Sequence, residues 1–377
     1  MSRIIKAIGI PRLIITALFI AVLLTGFGLG MPMNMFASDV VKRVGMYGLL
    51  TLAMVPSIQS GTGPNFALPI GIMAGLLGMV ISLEIFYFLD LNGIYTVATV
   101  ESQPWWYTSD GNIQYGYSMA IFATAILIAI PIAVLAGFGY GKLLNLIKGS
   151  EMSIAPYMGF SAVQFMCIVW IVAPFKNTGI KWPLGPGLRN TFILDQTFGK
   201  SLNGFLMFNI KVGPDKFIEI PTGLLLFFFL SCYLVYLFTK SKRGTEILAG
   251  GMNPKFAQAS GVNIDSGRVV ANILSTVLGA VGIIVYSQSF GFAQLYGGPL
   301  MMAFPAVAAV LIGGATAKRA QVSHVIIGTL LFQGLLTVAL PVANELLPGS
   351  NLSEILRMIV QNGIILYALT KVNREGQ

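Results

Sequence analysis

The sequence predicts an all-α, polytopic membrane protein, formed as a single transmembrane domain over residues 1–377. Hydrophobic residues make up 55% of the chain and charged residues only 10%, whereas soluble domains carry about 25% charged residues. The mean hydropathy is +0.80. A soluble core has no room for this much apolar surface, so the lipid bilayer must act as the solvent.

The apolar residues are grouped in runs close to the roughly 20 residues that a helix needs to cross a bilayer. About ten such runs are present. The predicted spans are 13–31, 44–60, 66–89, 118–141, 154–174, 221–238, 269–288, 301–317, 322–342 and 355–371. The first is expected to stay attached as a helix, because no small-residue cleavage site of a signal peptide follows it.

The charged residues between the runs indicate the orientation. Short loops on one predicted side are basic, whereas the long loop 90–117 on the other side has no Lys or Arg but contains Asp90, Glu101 and Asp110. Cytoplasmic loops are enriched in Lys and Arg, so both termini are expected in the cytoplasm. Topology then explains most of the net charge of +9, and no nucleic-acid partner is expected.

Two predicted outer segments, 90–117 and 175–220, are long enough to have a role of their own. Trp105, Trp106 and Tyr107 in the first suit either an aromatic anchor at the membrane interface or a docking surface for an extracellular partner. The second contains an apolar patch at 202–208, LNGFLMF, which is too short to span. This patch is expected to lie on the membrane surface or to cap a pore.

Two predicted spans are interrupted by helix-breaking residues. The stretch MVPSIQSGTGPNFALPIG (54–71) contains three Pro and three Gly, and the stretch 289–316 is broken at Gly297, Gly298 and Pro299. Unwound backbone at membrane depth is tolerated where it is buried in protein or lines an aqueous cavity, and such re-entrant or broken segments often mark a solute path. The first break also suits a tight loop at the inner surface.

Amide side chains near these breaks and inside the spans are the candidates for contact with a solute. They are Gln59, Asn65, Gln164, Gln288 and Gln294. Amides donate and accept hydrogen bonds without a charge, which favours a neutral polyol-like or nucleoside-like solute over an ion. Glu84 is an acid within a span and hence a functional candidate, although it also lies close enough to the outer end to reach the headgroups.

The predicted inner loop 240–268 is longer than the other inner loops and has the sequence KSKRGTEILAGGMNPKFAQASGVNIDSGR. Its polar composition suits a solvated connector. It also contains Ile247, Leu248, Phe256 and Val262, and exposed apolar side chains of this kind suit contact with a protein partner.

A recognisable pattern runs through this loop and the spans that follow. A basic start with Gly is followed by an Asn and by Ala-rich residues that end in Ser-Gly-Val-Asn, and a small-residue helix, AVAAVLIGGAT (306–316), then ends in a double glycine. This succession resembles the permeases of ABC importers for simple sugars, which are relatives of the branched-chain amino acid permeases. The resemblance is specific over 220–372 and looser over 1–220.

The resemblance implies a transport subunit rather than an enzyme, located in the bacterial cytoplasmic (inner) membrane. Segment 244–264 would be a coupling element that inserts into a cleft of a separate ABC ATPase subunit. The implied contact residues are Gly244, Gly250, Asn253, Phe256, Ala257, Ser260, Gly261, Val262 and Asn263. ATP and Mg²⁺ would bind to that ATPase, and this chain would hold no cofactor.

The rest of the implied assembly is a second permease subunit, identical or related, and an extracytoplasmic solute-binding protein, with membrane lipid around them. A simple sugar is the expected solute, and a nucleoside or another small solute is the alternative. Two motifs depart from the sugar permeases, because the first break has no acid and MMAFPA (301–306) replaces a Glu-Leu-Asp-Ala run. These departures leave the solute open.

Two other classes of function are alternatives to the importer. A secondary transporter would favour paired charges inside the membrane and inverted repeats, and Glu84 is the single such candidate. A membrane enzyme would need clustered His, Asp or Glu, and the chain has one histidine, His324, so no metal site is expected. The string AGFGYGKLL lacks the first Gly and the final Ser or Thr of a phosphate-binding loop.

Overall fold

The computed structural model describes residues 10–91, 115–195, 197–213 and 216–346, with Met358 and residues 362–363. The helices are α1 (Ile10–Gly28), α2 (Met33–Leu52), α3 (Met54–Gln59), α4 (Leu68–Leu91), α5 (Tyr115–Leu146), α6 (Glu151–Val172), α7 (Ser201–Gly204), α8 (Thr222–Lys240), α9 (Lys242–Met252), α10 (Pro254–Ala259), α11 (Ile264–Phe290), α12 (Ala303–Ile312) and α13 (Val322–Leu346). The strands are β1 (Thr191–Ile193), β2 (Phe208–Gly213), β3 (Lys216–Ile220) and β4 (Phe292–Gln294), and a 3₁₀ helix covers Gly298–Met301.

The prediction of a helical, multi-pass membrane protein is confirmed. Within the described residues, six helices are long and apolar enough to cross a membrane, namely α4, α5, α6, α8, α11 and α13, and two shorter apolar segments cover Arg12–Gly28 and Gly298–Ile312. The count of ten stays a prediction, because most of the predicted span 355–371 lies outside the described residues, as do both termini and most of the outer segment 90–117.

The strict all-α prediction misses four short strands. β1 pairs with β4, and β2 pairs with β3 in a hairpin. Three of these strands lie in the predicted outer segment 175–220. Backbone groups outside the bilayer need partners that no spanning helix supplies, and short antiparallel ladders provide them.

The second predicted span begins earlier than expected. The prediction was 44–60, whereas α2 begins at Met33 and α3 continues to Gln59. Asp39, Lys42 and Arg43 lower the hydropathy of the first turns, which made the span appear to start after them. The helix continues through these residues because Val40 and Val44 on its other side are buried in the core.

Small residues allow close packing around α11, which lies against α2, α4 and α5. Gly71 of α4 faces the backbone of Thr276, and a Cβ on Gly137 of α5 would lie 2.8 Å from the Cα of Ile273. Without a hydrophobic driving force between helices in lipid, such close contacts supply much of the packing energy.

The break after α3 is stabilised by its own hydroxyl side chains. The turn at 60–67 contains Gly61 and Gly63 at positive φ. The Ser57 hydroxyl donates to the Gly63 carbonyl at 2.7 Å, and Ser60 and Thr62 both donate to the Ser57 carbonyl. These bonds satisfy carbonyl groups that a continuous helix would have paired, so the turn can remain buried.

The second break is packed tightly against α13. Gly313 lies at the end of α12 against the His324 carbonyl, and Gly328 lies against the Ala309 carbonyl. A Cβ at either glycine would collide with backbone. The double-glycine motif therefore lets the short helix α12 lie directly against α13.

The predicted inner loops meet at one end of the helix bundle, which we call the basic end (residues 59–64, 142–151, 240–268 and 316–324). The Gln59 amide donates to the Ala320 carbonyl at 2.9 Å, and the Lys148 ammonium lies 2.6 Å from an Asp265 carboxylate oxygen. At the opposite end, which we call the outer end, the Asn34 amide donates to the Phe217 carbonyl of the hairpin at 3.1 Å. By the positive-inside rule, the basic end is expected to face the cytoplasm.

Candidate functional site

The predicted coupling element folds as two short helices, α9 and α10, that project from the basic end. Each helix boundary has a side-chain cap. Ser241 accepts from the Gly244 backbone N–H, Asn253 from that of Phe256 at 3.2 Å, and Asn263 from that of Ser266 at 3.0 Å. Such caps satisfy amide groups that the helix leaves unpaired and fix where each helix begins.

The predicted ATPase-contact residues fall into two groups. Gly244, Gly250 and Ala257 are buried, whereas Asn253, Ser260, Gly261 and Asn263 are exposed and Val262 is half-buried. Phe256 is 67% exposed. A large aromatic side chain that remains exposed on a capped, projecting helix is the arrangement expected of a docking residue.

The coupling element touches the first break through a contact between two glycines. A Cβ on Gly61 would lie 3.0 Å from the Cα of Gly251, and a Cβ on Gly251 would collide with the Gln59 carbonyl. Backbone therefore lies directly on backbone at this point. A displacement of α9 must move the turn at 60–67 or lose this contact.

Two ion pairs join α11 to the α5–α6 loop beside the coupling element. Arg268 and Glu151 are 2.9 Å apart, with side-chain exposures of 15% and 11%. Lys148 and Asp265 are 2.6 Å apart, with both side chains 53% exposed. Glu151 is the first residue of α6 and also accepts from the Gly149 backbone N–H, so it stabilises a helix N-terminus as well.

The two ion pairs should contribute very differently to stability. Arg268→Met leaves a buried carboxylate without its cation and is expected to cost about 3–5 kcal/mol, whereas Lys148→Met should cost less than about 1 kcal/mol. Thermal unfolding of the purified protein in detergent, followed by tryptophan fluorescence, measures both variants. Equal shifts of the unfolding midpoint in the two variants would contradict the larger contribution of Arg268 to stability.

A cavity of about 670 Å³ opens between the outer halves of α2, α11, α12 and α13, and we call it the outer cavity. Its polar lining includes Asp39, Arg43, Asn190, Gln294, Gln333 and Thr337. Tyr47 and Tyr286 also line it, with ring centroids 5.1 Å apart and planes at 69°. This volume and this mixture of aromatic and polar groups suit a small organic solute.

Asp39 and Arg43 give the outer cavity its charge. They lie one turn apart on α2, and neither forms an ion pair with a described residue. Roughly 24 Å of helix separates Arg43 from the basic end, so both charges lie in the outer half of the predicted membrane region. Ionisable groups at such a depth are functional candidates.

Paired strands cover the outer end of the outer cavity, and we call this cover the roof. Strand β1 pairs with β4 in the register Thr191 to Gln294, which links the outer segment 175–220 to the second break. Tyr296 donates to the Leu188 carbonyl at 3.2 Å on the same roof. The outer segment is thus joined directly to the part of the chain that covers the cavity.

The five amides predicted to meet a solute are dispersed, and Gln294 alone among them lines the outer cavity. Gln59 lies at the basic end in its bond to Ala320. Asn65 donates to the Ser275 hydroxyl at 2.8 Å, and Gln288 accepts from the Leu202 backbone N–H at 3.2 Å. Both of these are buried, whereas Gln164 is exposed on α6. Their roles as solute ligands stay predictions.

Sequence reasoning missed the polar face of α13. Thr329, Gln333 and Thr337 follow each other at intervals of four residues and are all buried, and the Thr329 hydroxyl has no hydrogen-bond partner among the described residues. A spacing of four places them on one helix face. This face leads from the outer cavity toward the basic end of α13. In the sequence it could have been found as polar residues repeated every four positions inside an apolar span.

Glu84 has a structural partner at the outer end. Its two carboxylate oxygens accept the backbone N–H groups of Lys176 and Asn177 at 2.7 and 3.0 Å. The Asn177 amide donates back to the Leu83 carbonyl. This acid therefore anchors the start of the outer segment 175–220 and lies outside the lining of the outer cavity.

Comparison with known proteins places this geometry in context. The family model described as "Branched-chain amino acid transport system / permease component" matches residues 36–369. The "Nucleoside ABC transporter permease protein NupB" of Lactococcus lactis subsp. cremoris (strain MG1363) is 24% identical over 249 residues, covering 65% of this chain and 64% of that protein. The "Probable ABC transporter permease protein YphD" of Escherichia coli (strain K12) is 29% identical over 154 residues, covering 41% of this chain and 44% of that protein.

The aligned parts span less than two thirds of the length of either relative. No solved structure matches the chain.

Proposed function

Because the chain belongs to the family of permease components of branched-chain amino acid transport systems, we propose that it is the membrane subunit of an ATP-driven importer in the bacterial cytoplasmic membrane. As a member it is a multi-pass transport subunit rather than an enzyme. The remaining parts of the importer are an ABC ATPase that binds ATP and Mg²⁺, a second permease subunit and an extracytoplasmic solute-binding protein.

One observation carries the proposal, namely the pair of helices that projects from the basic end with Phe256 exposed. α10 is too short to be stable alone, so its caps at Asn253 and its buried Ala257 hold it in place. The exposed ring is then available to a partner at the cytoplasmic face. Movement of that partner would reach the first break through the contact between Gly251 and Gly61.

Site-specific crosslinking tests this assignment. A photoreactive amino acid at position 256 is expected to capture an ATPase subunit in native membranes, because the Phe256 side chain points away from the protein core. The matched control is position 165, since Phe165 of α6 is equally exposed at 65% but lies within a spanning helix. Good expression with no ATPase captured from position 256 would contradict the proposal.

In the proposed path, the solute enters the outer cavity and leaves at the basic end along the polar face of α13. Thr337 and Gln333 belong to the outer cavity, and the unpaired Thr329 hydroxyl lies one turn deeper. Closure of the two ATPases would displace α9, move the turn at 60–67 and so open the route. This sequence uses the contact between Gly251 and Gly61, which joins α9 to the first break.

For the solute we place a nucleoside first and a simple sugar second. The Asp39 carboxylate can accept two hydroxyl hydrogen bonds from a ribose diol, and Arg43 can donate to carbonyl oxygens of a base. The Tyr47 and Tyr286 rings offer an apolar face to a planar ring. A simple sugar uses the same polar groups but gains less from the aromatic pair, and one relative is itself described as a nucleoside permease.

Uptake measurements separate the two solute classes. A strain that lacks the gene for this chain and carries it on a plasmid is used. Its uptake of radiolabelled ribonucleosides and of free ribose is measured. Uptake of the nucleoside, inhibited by excess unlabelled nucleoside but not by ribose, is expected. Uptake of ribose that excess nucleoside does not inhibit would make a simple sugar the first candidate solute. It would not affect the importer assignment.

A further inference from the structure

A second cavity at the basic end has a strongly basic lining. It measures about 650 Å³ and lies between the end of α8, helix α9 and residues 319–323 at the start of α13, and we call it the inner groove. Lys240 and Arg319 reach it from two separate segments, and its lining contains no carboxylate. Its polar lining also includes Thr239, Thr245 and Ser323 and the amides of Gln59 and Gln321.

Neither cation of the inner groove is neutralised within the described part of the chain. The acid next to it along α9, Glu246, pairs with Arg243 at 3.3 Å instead. Lys240 lies over the Tyr236 ring, with 5.8 Å between the ammonium and the ring centroid. The Thr239 and Thr245 hydroxyl groups donate to backbone carbonyls. The groove therefore presents mainly its two positive charges to an anion of the size of a phosphodiester.

The groove is continuous with an apolar surface that faces lipid. Along the last turns of α8, Tyr233, Leu234 and Leu237 are 57%, 57% and 46% exposed. Leu248 and Met252 give the groove itself an apolar wall. A ligand that fits both parts has an anionic head and a hydrocarbon tail.

We propose that the inner groove binds an anionic phospholipid of the cytoplasmic leaflet, with its phosphate between Lys240 and Arg319 and an acyl chain along α8. Basic pockets between helices at the cytoplasmic side are suited to such headgroups. The bound lipid links the end of α8 to residues 319–323 at the start of α13, and Gln59 of the first break lines the same groove. This site is independent of the identity of the solute.

Lipid binding is measured on the purified chain without its ATPase. Nanodiscs that mix phosphatidylglycerol with phosphatidylcholine are analysed by native mass spectrometry for lipid retained on the protein. Lys240→Gln combined with Arg319→Gln is expected to lower the preference for phosphatidylglycerol roughly tenfold. The matched control is Lys242→Gln combined with Lys318→Gln, which removes the same charge from exposed neighbours that do not line the groove.

Several outcomes would overturn the proposal. An equal loss in both double variants means that general surface charge attracts the lipid. Competition by soluble glycerol phosphate as effectively as by the intact lipid means a small-anion site. No lipid preference, combined with weaker ATPase binding by the groove variant, means that the groove contacts the ATPase.

A variant that keeps both charges guards against a folding defect. Lys240→Arg combined with Arg319→Lys is expected to retain phosphatidylglycerol, because the site needs two cations between the same elements. If this variant loses the lipid while its thermal stability matches that of the native protein, the proposed phosphate position is wrong.

Discussion

Gly251→Ala is expected to lower uptake at least roughly tenfold while the protein remains in the membrane. The added methyl group would collide with the Gln59 carbonyl and would lie 2.8 Å from the Gly61 nitrogen. These are backbone atoms, so no side chain can rotate away, and overpacking of this kind costs about 1–3 kcal/mol. Helix α9 must separate from the first break, which removes the contact that transmits its movement.

The adjacent glycine provides the control. A Cβ on Gly250 would meet the Ile264 side chain at 3.7 Å, which is an ordinary van der Waals contact. Gly250→Ala should therefore leave uptake near the native level and stabilise α9 by about 0.5–1 kcal/mol. Both variants are measured for uptake, for membrane level and for crosslinking from position 256. Equal uptake by the two would show that the glycine contact plays no part in coupling.

Substitutions of the two charges in the outer cavity should have the second largest effect. Asp39→Asn and Arg43→Gln each remove a charge-assisted hydrogen bond, worth about 1.5–3 kcal/mol. The solute concentration for half-maximal uptake should therefore rise roughly ten- to hundredfold. Concentration-dependent uptake of the radiolabelled solute measures this change at equal membrane levels.

Lys42→Gln is the matched control for this pair. Lys42 is adjacent to Arg43 on α2, but it does not line the outer cavity, and its substitution removes the same positive charge. Its uptake should stay close to the native value. A similar loss in Lys42→Gln would indicate that the charge of α2 serves the orientation of the helix in the membrane.

The helix starts of the predicted coupling element and the two breaks could be predicted because their signals are local. Asn253 and Asn263 each precede a helix, and a capping side chain acts within three residues of its own position. Likewise Gly61 and Gly297 mark breaks through the backbone alone. The resemblance to a permease family rested on the same local motifs, and the family match over residues 36–369 confirms it.

The outer cavity could not be predicted, because it depends on which faces of distant helices meet. Arg43 falls just outside the predicted span 44–60, since a hydropathy window ends a span at charged residues. Gln164 and Gln333 are equivalent in sequence, each an amide within an apolar run. Packing distinguishes them, since Gln164 lies exposed on α6 while Gln333 is buried beside α2 and α12.

The pairing of β1 with β4 has an evolutionary consequence. Main-chain hydrogen bonds hold the roof of the outer cavity, and these bonds form with almost any side chain. The outward-facing residues of this region, such as Ile193 at 71% exposure, can therefore be replaced without breaking the connection beneath them. The exposed surface of the predicted outer segment can thus change in sequence while its main-chain link to the part of the chain that covers the outer cavity is kept.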